Sequence, residues 1–102
     1  MIDKPRIRPL DAFPVEHQGE RMICLRDPSG AAPEAIVIGL GAYYLLTLFD
    51  GTRSRLDLQA EFVRQFGEIL PSEQLDGLIE TLDRGYFLDS PAFEERLRAM
   101  RA

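Results

Sequence analysis

One segment, Leu46–Phe66 (LTLFDGTRSRLDLQAEFVRQF), constrains the fold more than any other, because it holds the end of one helix and the start of the next. Asp50-Gly51 interrupts the segment, and glycine can take the positive φ at which helices end. Ser54 then suits an N-cap, and Asp57 occupies the acidic position of a capping box three residues later. The flanks of the break are apolar, so both helices must bury a face. The segment therefore predicts two packed helices joined by a short break.

Apolar periodicity predicts four helices in all. The third has the clearest pattern, with leucine or isoleucine at positions i, i+3, i+4 and i+7. Ser90-Pro91 predicts the start of the last helix, because serine suits the N-cap and proline the first helical position. The predicted helices cover Ala42–Phe49, Arg55–Phe66, Ser72–Arg84 and residues 90–102.

Short β-rich runs surround these helices. Residues 5–17 carry three prolines, which predicts an edge strand or an extended arm within residues 1–17. Arg21–Arg26 is apolar on both faces, which predicts either burial on both sides or a shallow twist under the helices. Glu34–Ile38 is rich in β-branched residues and should pair antiparallel with it across the turn at Asp27–Gly30. Tyr86–Leu88 stands where a winged helix carries its wing.

These elements predict one α+β domain over residues 1–102. It is winged-helix-like, with a small antiparallel β-sheet followed by three helices, a wing-like strand and a C-terminal helix. A winged helix often binds DNA, but the net charge of −5 argues against nucleic acid. The third helix would also turn four acids toward phosphates, with one arginine to offset them. Those acids, Glu73, Asp76, Glu80 and Asp83, belong to either a partner surface or a solvated helix face.

The chemistry-bearing residues are few. The only cysteine, Cys24, excludes an internal disulfide, and neither Cys24 nor His17 stands in a metal-ligand pattern. No arrangement suits nucleophilic catalysis, so we expect no catalytic residues, no metal and no cofactor. No apolar run approaches the roughly 18 residues that span a bilayer, and no signal peptide is visible. We therefore expect a cytoplasmic protein that is not an enzyme and has no membrane partner.

Three segments carry a family resemblance: Ile36–Ser54, Leu56–Phe62 and Leu78–Asp89. Their marks are an aromatic-Asp-Gly step, a Thr-Arg-Ser cap and a third helix that ends in Gly-Tyr-Phe-Leu. In these features the chain resembles the PqqD-like family, the peptide recognition elements of modified-peptide (RiPP) biosynthesis. The opening RIRPLDAFPV and the later FLDSPAF resemble a narrower group, which precedes a Memo-like domain in bacterial proteins linked to a radical SAM enzyme.

The resemblance implies a peptide- or protein-binding module. Family members hold a peptide as an added strand between the third strand and the third helix, a form of β-augmentation. On this chain the strand edge is Glu34–Ile38, the helix face is Ser72–Leu82, and residues 5–14 could cover the edge. The expected partner is a peptide, a radical SAM protein, a Memo-like protein or a segment of the same parent chain. The residues expected to bind it are Ala35, Ile36, Val37, Ile38, Gln74, Leu75, Leu78, Ile79 and Leu82.

Two alternatives stay open. In the first, the domain is purely structural and caps or dimerises a larger Memo-like protein. That alternative predicts that residues 5–14 cover the strand edge and that the final helix, through Phe93, Leu97 and Met100, forms the interface or a homodimer. That helix could also be a linker into a further domain, and the chain either a fragment or a stand-alone version. In the second alternative, the domain is an acidic winged-helix regulator of transcription, which its charge disfavours.

Overall fold

The computed structural model describes residues 2–101, so Met1 and Ala102, the outer ends of the predicted arm and last helix, lie outside it. The described residues form a three-stranded antiparallel sheet and four helices, which confirms the α+β prediction. In chain order the elements are β1 (Asp11–His17), β2 (Glu20–Arg26), β3 (Ile36–Ile38), α1 (Leu40–Leu46), α2 (Arg55–Phe66), α3 (Ser72–Arg84) and α4 (Pro91–Arg101).

The boundaries of α2 and α3 are those that the sequence predicts. The Asp57 N–H donates to the Ser54 hydroxyl at 3.2 Å, and the Ser54 N–H donates to the Asp57 carboxylate at 2.9 Å, so the capping box is complete. Gly51 and Gly67 take φ of +84° and +69°, as a break and a helix C-cap require. At the start of α4, the Phe93 N–H donates to the predicted cap, Ser90.

The predicted bounds of α1 are wrong, because the helix begins and ends earlier than expected. Gly39 is its extended N-cap, so the helix starts at Leu40. After Leu46 the backbone tightens: the N–H groups of Leu48 and Phe49 donate to carbonyls three residues earlier. The chain then turns to meet the N-terminal arm, where the Ile7 N–H donates to the Phe49 carbonyl at 2.8 Å.

The sheet has the strand order β1-β2-β3. Gln18 and Gly19, both with positive φ, join β1 to β2 in a two-residue hairpin. Strands β2 and β3 pair antiparallel, as predicted, with Leu25 opposite Ile36. One face of β2 packs on the core through Ile23 and Leu25, whereas Met22 and Cys24 on the other face are half-buried outside the core. Of the two predictions for this strand, full burial on both faces is therefore wrong.

The predicted wing is wrong as well. Tyr86 takes a φ of +68°, and Leu88 makes one isolated bridge, with Ile7 of the arm, so no strand forms there. The cause is the core, because the side chains of Phe87 and Leu88 are fully buried and the backbone turns to place them there. The other fully buried large side chains come from the sheet, the helices, the arm and the loop after α1, namely Leu25, Leu58, Leu75, Leu82, Pro5 and Phe49.

Candidate partner-binding site

The free side of β3 is the strongest candidate for binding a partner. Strand β2 pairs with one edge of β3, and within residues 2–101 no strand pairs with the other edge. Ile38 is buried and Ile36 half-buried, and both pack with the core. Val37, which points to the opposite face, keeps 42% of its surface exposed, and Ala35 just before the strand is exposed too. Unpaired backbone groups and an exposed apolar side chain are what an added strand needs.

The N-terminal arm does not cover this edge, which corrects the expectation of the structural alternative. The part of the arm that becomes β1 pairs with β2 on the far side of the sheet from β3. The preceding residues bond instead to the two loops that follow α1 and α3. The Arg8 N–H donates to the Phe87 carbonyl at 3.1 Å, and the Asp89 N–H donates to the Arg6 carbonyl at 2.8 Å. The arm is therefore fixed between two loops, away from β3.

Of the α3 residues predicted to bind a partner, most are buried in the core. Leu75, Ile79 and Leu82 are buried core residues, with exposures of 5% or less, so they hold the helix in place and cannot meet a partner. Leu78 is half-buried against the core, and Gln74 is exposed. A partner that meets α3 would therefore contact Gln74, part of Leu78 and the neighbouring acids.

An acidic groove of about 600 Å³ follows α3 on the side of the arm and of the start of α4. Some of its charge is satisfied within the domain: Arg55 Nη2 lies 2.6 Å from Asp76 Oδ1, and the Ser90 hydroxyl donates to Asp83. Strand β3 does not line this groove. The carboxylates that line it are Asp3, Asp76, Glu80, Asp83 and Asp89, beside one cation, Lys4.

A buried ion pair between Arg8 and Asp27 is a feature that sequence reasoning missed. Arg8 Nη1 donates to Asp27 Oδ2 at 2.9 Å and also to the Tyr86 carbonyl. Asp27 accepts further bonds from the Ser29 and Ala32 N–H groups, both at 2.9 Å, and from the Ser29 hydroxyl. Burial raises the pKa of Asp27, but these hydrogen bonds and Arg8 outweigh it and lower the pKa to about 2. The Asp-Pro-Ser turn was the only available signal.

Helix α4 docks on its own domain through this cluster. The Arg8 guanidinium lies 3.7 Å from the centre of the Phe93 ring, a cation–π contact. Arg96 Nε donates to the Ala31 carbonyl at 3.2 Å, and its guanidinium lies over the Tyr86 ring. Leu97 is half-buried and Met100 is exposed, so only the end of the predicted apolar stripe stays open.

Other chemistry is sparse in the described part of the chain. His17 is exposed at the hairpin, opposite Glu20, and Cys24 is a half-buried free thiol in β2. Between residues 2 and 101 no cluster of three or more His, Cys, Asp or Glu could hold a metal ion. No helix in that range has the length and apolar character to cross a membrane.

In comparison with known proteins the chain is similar to a MEMO1 family protein of Aquifex aeolicus (strain VF5). It is 36% identical over 104 residues, which cover 96% of this chain and 25% of that protein. The chain resembles part of a Memo-like protein. It spans about a quarter of the curated relative that it matches. No family model matches the chain, and no solved structure matches it either. The similarity supports the Memo-like part of the predicted resemblance, whereas the PqqD-like, RiPP and radical SAM associations stay predictions.

Proposed function

We propose that this domain is a non-catalytic recognition module, of the N-terminal type in Memo-like proteins, which receives an extended partner segment as a fourth strand beside β3. The observation that carries the proposal is the unpaired edge of Ile36–Ile38, left open because the arm takes the opposite side of the sheet. Similarity to a quarter of a larger MEMO1 family protein supports a module that works beside a larger body.

Strand addition suits the chemistry of this edge. Backbone N–H and C=O groups supply most of the affinity, and side chains at alternate positions supply selectivity. The three residues of β3 are uncharged, and none is a proline, so the edge lacks the residues with which proteins usually block strand pairing. The exposed Val37 offers one apolar contact. The net charge of −5 favours a partner segment that carries lysine or arginine.

We assign no reaction to the domain itself. The charged side chains buried within residues 2–101 are Arg8 and Asp27, and they bind each other and nearby backbone groups. The free thiol of Cys24 lies in a strand among apolar neighbours, with Phe13 and Val37 opposite it. We infer that any chemistry belongs to the partner, for which the resemblances suggest a Memo-like or radical SAM protein.

The test is a binding measurement with overlapping peptides that cover the three quarters of the Aquifex protein outside the match. We expect at least one peptide to bind, and Val37→Asp to weaken that binding about tenfold by placing a charge beside the apolar side chains of the new strand. Val63→Asp is the matched control, because Val63 on α2 is 44% exposed, much like Val37 at 42%. Equal losses in the two variants, or no binding by any peptide, would contradict the proposal.

A second candidate function is a structural module that docks a Memo-like body through α4. Its supporting observation is the exposed Met100 beside the half-buried Leu97, at the end of a helix whose start is fixed on its own domain. It predicts that the intact remainder of the Aquifex protein binds the domain, and that Met100→Glu rather than Val37→Asp abolishes this binding.

A further inference from the structure

One face of the sheet is apolar but does not contact the core. Phe13, Cys24 and Val37 lie opposite one another on the three strands, and Val15 lies opposite Met22. Register partners in an antiparallel sheet point to the same side. The core contacts of the sheet come from the alternate residues, such as Leu25 and Ile38. Phe13 and Val37 are 43% and 42% exposed, and the other three are half-buried. We name Phe13, Val15, Met22, Cys24 and Val37 the outer face.

Charged side chains bracket the outer face at both ends. On β2 the alternate positions from Glu20 to Arg26 are acidic, apolar, apolar and basic. Arg26 is exposed and pairs with Asp11 of β1 at 2.8 Å, which places both at one end of the face. His17 lies opposite Glu20 at the other end. The two ends of β2 therefore carry opposite charges on the same face.

The charge pattern of the outer face is complementary to itself after a two-fold rotation. A two-fold axis across the strands at the level of Ile23 would place Glu20 over Arg26 of a second copy. On β1, the same operation centred on Pro14 places Asp11 over His17 of the second copy. Pro14 and Ile23 are register partners, so a single axis serves both strands. Each contact then occurs twice, as an isologous interface requires.

We infer that the outer face binds a second copy of this chain, with the two sheets packed face to face and their strands antiparallel. Face-to-face sheets pack with their strands within about 30° of each other, which this arrangement permits. Phe13 then meets Val15 of the partner copy, and Met22 meets its Cys24. An unrelated partner would not need an apolar face whose charges are complementary about its own midpoint, which is why the second copy is the favoured occupant.

The small area of the outer face predicts a weak dimer. Strands β1 and β2 have seven residues each and β3 has three. At about 3.3 Å per residue and about 4.8 Å between strands, the face covers roughly 300 Å² per copy. A standard stable interface buries about 800 Å² per partner. We therefore expect a reversible dimer that forms at high micromolar concentration.

The test is sedimentation equilibrium of the whole chain over a concentration series up to about 1 mM, at low ionic strength where surface charges are least screened. We expect a monomer–dimer equilibrium. Glu20→Arg and Arg26→Glu should each weaken it about tenfold, because each places like charges opposite one another, and the double variant should restore it. Arg21→Glu is the matched control: Arg21 is an exposed arginine of the same strand that points to the other face.

Cys24 provides an independent readout, because its thiol lies near the centre of the outer face. Its rate of reaction with an aromatic disulfide reagent should fall as the chain dimerises, and should stay constant over the same concentrations in Arg26→Glu. A chain that remains monomeric at 1 mM would overturn the inference. So would a dimer that the charge variants leave unchanged, or one that Met100→Glu dissociates, since that result places the interface on α4. Circular dichroism of each variant confirms that it folds.

Discussion

Arg8 and Asp27 form an ion pair with an Nη1–Oδ2 distance of 2.9 Å, and their side chains are 7% and 0% exposed. The pair joins parts of the chain that are distant in sequence. Through Arg8 it also reaches the Tyr86 carbonyl and the Phe93 ring, and through Asp27 it orders the turn that leads toward β3. One cluster thus links the arm, the turn after β2 and α4.

Loss of one partner of this pair should destabilise the fold strongly. Asp27→Asn or Arg8→Met leaves the other charge buried without its partner, which typically costs about 3 kcal/mol or more in the free energy of unfolding. The control is Arg26→Ala, which breaks the exposed Asp11–Arg26 pair and should cost less than about 1 kcal/mol. Urea denaturation measures both values. Equal losses from the two pairs would show that the buried pair has no special role.

The same pair should make the domain sensitive to acid. The pKa of Asp27 is about 2 in the folded chain, below its ordinary value of 3.8. The ionised form is therefore favoured by folding, so its contribution is fully present above about pH 4 and is lost as the pH falls toward 2. The lowered pKa corresponds to about 2 kcal/mol. Urea titrations between pH 5 and pH 2 should show a shallower loss of stability in Asp27→Asn than in the natural chain. Parallel pH profiles would contradict this assignment.

Gly85 should be required for close packing rather than for its backbone angle. Its φ is −83°, which any residue can take, but a Cβ there would lie 2.8 Å from a ring carbon of Phe87. We expect Gly85→Ala to destabilise the domain by roughly 2 kcal/mol. Gly77→Ala, inside the helix that Gly85 caps, is the control. A Cβ at Gly77 meets nothing within 4 Å, so alanine should stabilise α3 by about 1 kcal/mol. Thermal unfolding should therefore move in opposite directions for the two variants.

The capping box of α2 should contribute measurably to the free energy of unfolding. Ser54→Ala removes the hydroxyl that accepts the Asp57 N–H and should cost about 1 kcal/mol. The control is Thr52→Ala, in the exposed loop before the cap. Ser29→Ala would not serve as a control, because Ser29 belongs to the buried Arg8–Asp27 cluster. Chemical denaturation should show a larger loss for Ser54→Ala than for Thr52→Ala.

The parts of the fold that depend on neighbouring residues could be predicted from the sequence. The bounds of α2 and α3 follow from a capping box, a left-handed glycine and an apolar period, all of which act within a few residues. The end of α1 could not be predicted, because a hydrogen bond from Ile7, more than forty residues earlier, helps to fix Phe49. The prediction of a wing-like strand was wrong for a similar reason, since the burial of Phe87 determines the backbone conformation there.

The candidate site shows the same division. The family resemblance implied that β3 could accept an added strand, but the sequence could not show which edge the arm would take. In the structure β1 pairs with β2, and Arg8 of the arm contacts Asp27, nineteen positions further along the chain. Amphipathic spacing also cannot separate a core residue such as Leu75 from one that binds a partner, because both lie on the apolar side of α3.

The most direct test of the central claim is an amide NMR titration of the isotope-labelled chain with the remainder of the Aquifex MEMO1 family protein, the three quarters outside the match. A recognition edge at β3 predicts the largest shifts at Ala35–Ile38, with smaller ones at Gln74 and Leu78. Shifts confined to α4 around Met100, with the β3 amides unchanged, would contradict it and leave a structural docking domain.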